Sequence, residues 1–325
     1  MSRFVLSLRK TGLGDRLICL CAAWIYARST GRTLIADWRY SRYLANVENL
    51  FPHVFIPRQC LGGVDFNGEA RLDTSELPLP THPVAWGRPD LIAAPWKAAA
   101  DAFPLERSRA LTLIRNAADV DAATVVFNAC LSDAVERFAD AHDFLNALEP
   151  QPSYCAEAGA FDAKYFGAGI RIGLHIRHGN GGNIMGHTPS WRSHAAAIKR
   201  CRDAVEYARG KLGQQTPVFL ATDSAEVEKE IKAQIAGIIS RPKVFRPAGA
   251  GELHLGPEAP DGLQDAIIDM LLLSRSDVLI RYPAASFFSF YPAVMKPRLG
   301  SAPELLSDLQ IPFDQSDPLS PAVLF

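Results

Sequence analysis

The 325 residues amount to about two domains' worth of chain. With 48% hydrophobic and 21% charged residues, the composition excludes a disordered, collagenous or coiled-coil protein. Lys and Arg total 34 against 35 Asp and Glu, so no global basic excess draws the chain to nucleic acid or an anionic membrane. An anion-binding function has to come from a local cluster.

The predicted elements begin with a strand, Phe4 to Leu8, and a glycine turn, Thr11-Gly12-Leu13-Gly14-Asp15. An apolar helix closing near Thr30-Gly31 and a strand over Thr33–Ala36 complete a βαβ unit, the seed of a parallel sheet. The apolar run Leu17–Ala27 is too short to cross a bilayer, which takes about 20 residues. It follows a complete strand instead of a short basic leader. A cytoplasmic protein with no membrane partner is therefore expected. Residues 52 to 110 carry prolines at 78, 80, 83, 89, 95 and 104, and suit either a loop-rich wall around a site or irregular connections. Thr124–Phe127 reads as the last strand of this half, and Asp119-Val120-Asp121 before it as a solvated turn, not a metal-binding DxD motif.

A clearer alternation begins near 168: a strand over 170–176, a glycine-rich loop, and a helix over 193–212. A strand at Val218–Ala221 then runs into Thr222-Asp223-Ser224, which can cap a helix at 225–236. Lys243-Val244-Phe245 looks strand-like, Leu263–Leu273 is an apolar helix, and Asp277–Arg281 is another strand. The six cysteines, at 19, 21, 60, 130, 155 and 201, include no CxxC pair and read as reduced thiols. The expected architecture is α/β, two Rossmann-like domains facing a central cleft, with ligands beyond the carboxyl ends of the strands.

The strongest local signal is Ile172-Gly173-Leu174-His175-Ile176-Arg177-His178-Gly179-Asn180-Gly181-Gly182. His175 and Arg177 are two apart on a strand and share a face. Arg177 falls where the strand meets the glycine loop, where a guanidinium can hold a phosphate through two charge-assisted bonds. The alternative is a solvated arginine on a surface turn. Between Asp162 and Asp203 there is no carboxylate, yet there are seven Lys or Arg and four of the eight histidines. That imbalance favours an anionic ligand.

No GxxxxGK[ST] occurs, and Leu17 stands where the third glycine of a dinucleotide fingerprint would be. The histidines at 175, 178, 187 and 194 have no HExxH and no nearby carboxylate, so a zinc site is not expected. Asp269 lies in a very apolar helix and either anchors a local network or reads a ligand such as guanine. Ser286, after the strand ending at Arg281, either caps a helix or receives phosphate oxygens.

Taken together, the segments Arg9–Asp15, Gly31–Arg39, His175–Gly181, Phe219–Ser224 and Asp269–Leu273 resemble the rhizobial nodulation fucosyltransferases, relatives of the eukaryotic α-1,6-fucosyltransferases. The resemblance spans nearly the whole chain and is fainter from about 60 to 160. It implies a GT-B-like fold and inverting transfer of fucose from GDP-fucose to a sugar acceptor, an N-acetylglucosamine-containing oligosaccharide in α-1,6 linkage. No metal or other cofactor is implied. Residues 1–160 would form the acceptor-side domain, 165–300 the GDP-sugar domain and 301–325 a tail. By similarity Arg177 would hold the β-phosphate, His175 and Asp269 the guanine, and Ser286 the phosphates. His178, Asn180, Asp223, Gly12 and Gly14 would complete the substrate site.

The chain departs from the family after the HIRHGNG element. Gly182, Asn183 and Gly186 stand where relatives carry acidic residues, and Phe290 where the nodulation enzymes have arginine. His187 and Asp15 are then the candidates for the general base. A related transferase with another donor or acceptor, and a non-catalytic nucleotide-sugar binder, are the alternatives.

Overall fold

The computed structural model describes residues 3–9, 11–39, 43, 48–72, 78–84, 103–129, 138–178, 194–245, 261–282, 286–296 and 322–324. The chain divides after Gln151 into two compact units, so the helix at Pro152–Tyr165 belongs with the second.

In the first unit, β1 (Phe4–Ser7) leads into helix α1 (Leu13–Thr30) and then β2 (Thr33–Ala36). A short helical turn α2 (Phe51–Val54), the pair β3 (Cys60–Leu61) and β4 (Val64–Asn67), and β5 (Thr81–His82) follow. Helix α3 (Phe103–Asn116), β6 (Thr124–Phe127) and helix α4 (Phe138–Ala147) complete it. The sheet order is β3-β4-β2-β1-β6-β5, with β1 parallel to both β2 and β6 and only β3 antiparallel.

Helix α1 is buried from Leu13 to Ala27 apart from half-buried Asp15, which explains its signal-like hydrophobicity: it is the core of this unit. It stops at Gly31, whose φ of 65° is the left-handed conformation that glycine adopts at least cost. The next residue, Arg32, is fully buried and donates from Nε to Asp119 at 2.7 Å. Asp119 therefore anchors a structural ion pair, which corrects the solvated-turn expectation; it is spent on holding a buried guanidinium.

The second unit runs through helix α5 (Pro152–Tyr165), β7 (Ile172–Ile176), helix α6 (His194–Leu212), β8 (Val218–Thr222), helix α7 (Ala225–Gln234) and β9 (Ile238–Ile239). Helix α8 (Asp261–Ser274), β10 (Val278–Tyr282), a 3₁₀ turn (Phe287–Ser289), helix α9 (Phe290–Met295) and β11 (Ala322–Leu324) follow. Its sheet order is β11-β10-β7-β8-β9, parallel except for β11. From β7 the chain continues to β8 on one side and returns to β10 on the other. The carboxyl ends of β7 and β10 thus flank a topological switch point, where doubly wound sheets bind ligands.

Two details differ from expectation. Lys243-Val244-Phe245 forms no strand; the edge strand is Ile238–Ile239, whose isoleucines pack beside β8. Ser224 alone caps α7, its hydroxyl accepting from the Val227 N–H at 3.3 Å, while the neighbouring aspartate is used elsewhere.

The two faces of the second sheet are chemically distinct. Ile172, Leu174, Ile176, Val218, Leu220, Val278, Ile280 and Tyr282 pack with α6 and α7 in one apolar core. The alternate residues, including Gly173, His175, Ala221 and Arg281, face the other way. Helix α8 packs against β7 and β8, and its end lies close to Gly173. A methyl group there would sit 2.5 Å from Ser276 Oγ and 2.9 Å from its Cβ. Gly173→Ala is therefore expected to cost about 1–3 kcal/mol of stability through overpacking, read from the urea midpoint; an unchanged midpoint would contradict this packing.

Candidate functional site

The carboxyl ends of β7 and β8 lie side by side, with Ile176 paired to Thr222. The next residue on each strand therefore emerges at the same place: Arg177 from one and Asp223 from the other. Arg177 Nη1 stands 2.8 Å from Asp223 Oδ2, and the Asp223 side chain is only 3% exposed. The second oxygen, Oδ1, accepts the His178 N–H at 2.7 Å. One buried carboxylate thus holds both the arginine and the backbone that follows it.

The acid-free stretch from 163 to 202 is consequently not uncompensated. Its central arginine takes its counter-charge from β8, forty-six residues away in sequence. The Arg177 side chain still keeps 18% of its surface exposed. Beside it opens a small, partly open recess lined by His175, Arg177, Ala221, Thr222, Asp223, Asp269 and Phe288. Four of the residues singled out from sequence, His175, Arg177, Asp223 and Asp269, are thereby brought to one place.

His175 is fully enclosed. Its Nδ1 meets Ser289 Oγ at 2.5 Å, and its ring packs on Phe288 with centroids 4.9 Å apart. Burial pushes its pKa down from 6.5 to about 3; Asp223 opposes that shift, while Arg177, Arg281 and Lys243 reinforce it. The imidazole is neutral at physiological pH, so it offers one donor and one acceptor nitrogen and no charge.

Asp269, on α8, resolves into a network that still borders the recess. Lys243 Nζ reaches its Oδ2 at 2.6 Å and Arg241 Nη1 lies 3.7 Å from Oδ1, an atom that accepts no hydrogen bond. Lys243 is nearly buried and also lies 5.4 Å from the Phe245 ring centroid. Arg241 is shared with Asp265 at 3.0 Å and Glu157 at 2.7 Å. Burial raises the pKa of Asp265, with Arg241 acting against it. The carboxylate at 269 keeps lone pairs for an N–H donor while two cations offset the cost of burying it.

The other expected residues lie elsewhere. Ser286 does not line the recess; its carbonyl accepts the Ser289 N–H at 3.3 Å, and Ser289 is the hydroxyl that meets His175. Gly12, Gly14 and Asp15 belong to the first unit, at the start of α1, where Gly12 is the N-cap and Arg9 Nη2 lies 3.9 Å from Asp15 Oδ1. Asn180 and His187 fall outside the described residues. Among the described residues no group of three His, Cys, Asp or Glu could hold a metal ion, the five cysteines are free thiols, and no helix is long and apolar enough to cross a membrane.

Sequence reasoning missed Lys243, Arg241, Phe288 and Ser289. Only Ser289 carried a signal, lying with Ser286 in the stretch after β10. The lysine and Arg241 look like surface residues until α8 places carboxylates against them.

With this geometry established, similarity to known proteins becomes informative. The sequence profile of nodulation protein Z (NodZ) matches residues 1–306. The chain belongs to the NodZ family. It is 36% identical over 321 residues to nodulation protein Z of Bradyrhizobium diazoefficiens, covering 97% of this chain and 82% of that protein. The crystal structure of selenomethionine fucosyltransferase NodZ from Bradyrhizobium superposes with a TM-score of 0.79 at 28% identity, covering 100% and 99% of the two chains. That of NodZ α-1,6-fucosyltransferase soaked with GDP-fucose gives 0.77 at 28% identity and the same coverage.

The buried His175 has a consequence for this NodZ-family fold. Between pH 6.5 and about 3 the unfolded chain binds a proton that the folded chain refuses. Stability therefore falls as pH falls through that window. His175→Asn is expected to lose melting temperature less steeply than the wild type between pH 6.5 and 4. Parallel acid-side profiles would show that the imidazole is not held neutral.

Proposed function

We propose that this NodZ-family chain is a fucosyltransferase that takes fucose from GDP-fucose and passes it, with inversion, to a hydroxyl of an N-acetylglucosamine-containing oligosaccharide in α-1,6 linkage. We assign it to the GT-B class, with donor binding in the second unit and acceptor binding in the first. The observation that carries this reading is Arg177, held by Asp223 at the end of β7 beside a recess.

In the reaction proposed, the acceptor oxygen forms a bond to the anomeric carbon of fucose as the bond from that carbon to the β-phosphate oxygen breaks. GDP leaves with the electron pair, and the acceptor proton passes to a base. Negative charge grows on the diphosphate as the bond breaks, and a guanidinium already aimed there stabilises it without reorganising. We read this charge stabilisation as the work of cationic side chains, with no metal required. Asp223 is a positioning residue: it fixes the guanidinium and, through the His178 N–H, the first turn of the following loop. Asp269 is assigned to guanine N1–H and the exocyclic amine, using the lone pairs that Lys243 leaves unused. Neutral His175 lines the same recess and offers a hydrogen bond without repelling either partner.

The base is assigned to Asp15 or His187. Asn replacements at each separate the two, the true base losing about 10²–10⁴ in rate.

The direct test is incubation of the chain with GDP-fucose and chitin oligosaccharides, reading the product linkage by NMR. Fucosylated product with inverted configuration is expected, and Arg177→Ala should lower kcat by about 10²–10³. Full turnover in that variant overturns the role given to Arg177. GDP binding with neither transfer nor hydrolysis in the wild-type chain would instead identify a nucleotide-sugar binder.

A further inference from the structure

Among the described residues, most cations around the second sheet's polar face have a carboxylate partner. Arg177 has Asp223, Lys243 has Asp269, Arg241 has Asp265 and Glu157, and Arg171 and Arg275 share Asp162. Arg281 makes no hydrogen bond or ion pair among the described residues, and its Nε is buried. Desolvation by burial lowers its pKa. Enclosing a guanidinium without a counter-charge costs stability, a cost that a bound anion would offset.

Its position says where that charge would come from. Arg281 is the penultimate residue of β10 and pairs in register with His175 of β7, which pairs in turn with Ala221 of β8. Partners in register on adjacent parallel strands lie about 5 Å apart and project to the same face. Arg281, His175 and Ala221 thus form one transverse row, and the latter two line the recess beside Arg177. The row also spans β7 and β10, the two strands that flank the switch point of the sheet. Arg281 acts electrostatically on His175, whose proton affinity it lowers together with Arg177 and Lys243. Its uncompensated charge is therefore felt within the site.

We propose that Arg281 is a second anion-binding residue of this site, placed to pair with the diphosphate of a nucleoside diphosphate sugar bound beside Arg177. The inference rests on the donor-site reading above and deepens it. Among the described residues, Arg177 is partly neutralised by Asp223 whereas Arg281 meets no carboxylate. A doubly charged diphosphate would then meet one clamped and one unpaired guanidinium across neighbouring strands. Burial keeps the histidine between them neutral, and the Arg281 charge adds to that effect: a third cation in that row would have no partner.

The test is calorimetric titration of the full chain with GDP and with guanosine, comparing wild type, Arg281→Met and Arg281→Lys. Wild type is expected to bind GDP far more tightly than guanosine. R281M should weaken GDP by about tenfold or more and leave guanosine unchanged, with R281K between the two. Because an uncompensated charge is removed, the ligand-free melting temperature of R281M should equal or exceed that of the wild type. R281M binding GDP within twofold of wild type overturns the inference, as does an equal loss for GDP and guanosine. Should R281M fail to fold, the same criteria apply to R281K. A wild-type chain that binds no GDP overturns the donor-site reading itself, whatever the variants do.

Discussion

The ion pair between Arg177 and Asp223 ties together everything else in the second unit's polar face. Two adjacent parallel strands end at the same level, and the residue immediately beyond each carries an opposite charge. The carboxylate is almost fully buried, so its partner cannot swing away without stranding a charge in a low-dielectric setting. That constraint gives a flexible arginine a defined direction. It also anchors the loop that begins at His178 through the second carboxylate oxygen. Preorganisation of this kind is what lets a donor act on charge that appears only as a bond breaks.

Around that pair the sheet separates two tasks by the alternation of its residues. One face is an unbroken apolar core against α6 and α7. The other carries a histidine, an alanine and an arginine in a row, with a helix that supplies an aspartate at the recess. The aspartate is affordable because Lys243 and Arg241, from the segment after β9, offset it. The result is a site of paired charges with neutral His175 among them.

Much of this was legible in the sequence because parallel α/β sheets announce themselves. The strands at Phe4, Thr33, Thr124, Ile172, Val218 and Val278 are readable as short apolar runs, and the helices at Leu17–Ala27 and Leu263–Leu273 as longer apolar stretches. The strand-end position of Arg177 followed from the same pattern. The partnership with Asp223 did not, because a register match between β7 and β8 is invisible until the strands are paired. The same blindness hid the network at Asp269: Lys243 comes from a segment that reads as a strand and is none, and Arg241 lies just before it. Asp119 was misjudged for a related reason. Its counter-ion, Arg32, lies eighty-seven residues away, so spacing along the chain offered no hint of it. Local pattern predicts elements, whereas ion pairs between elements depend on topology.

The account turns on where the Arg177 guanidinium points when a nucleotide occupies the recess. A crystal structure of this chain with GDP bound measures that directly. The account predicts guanidinium nitrogens of Arg177 within hydrogen-bond distance of a β-phosphate oxygen, with Asp223 still holding the arginine from behind. A diphosphate seated away from Arg177, with the arginine engaged only by Asp223, would contradict it.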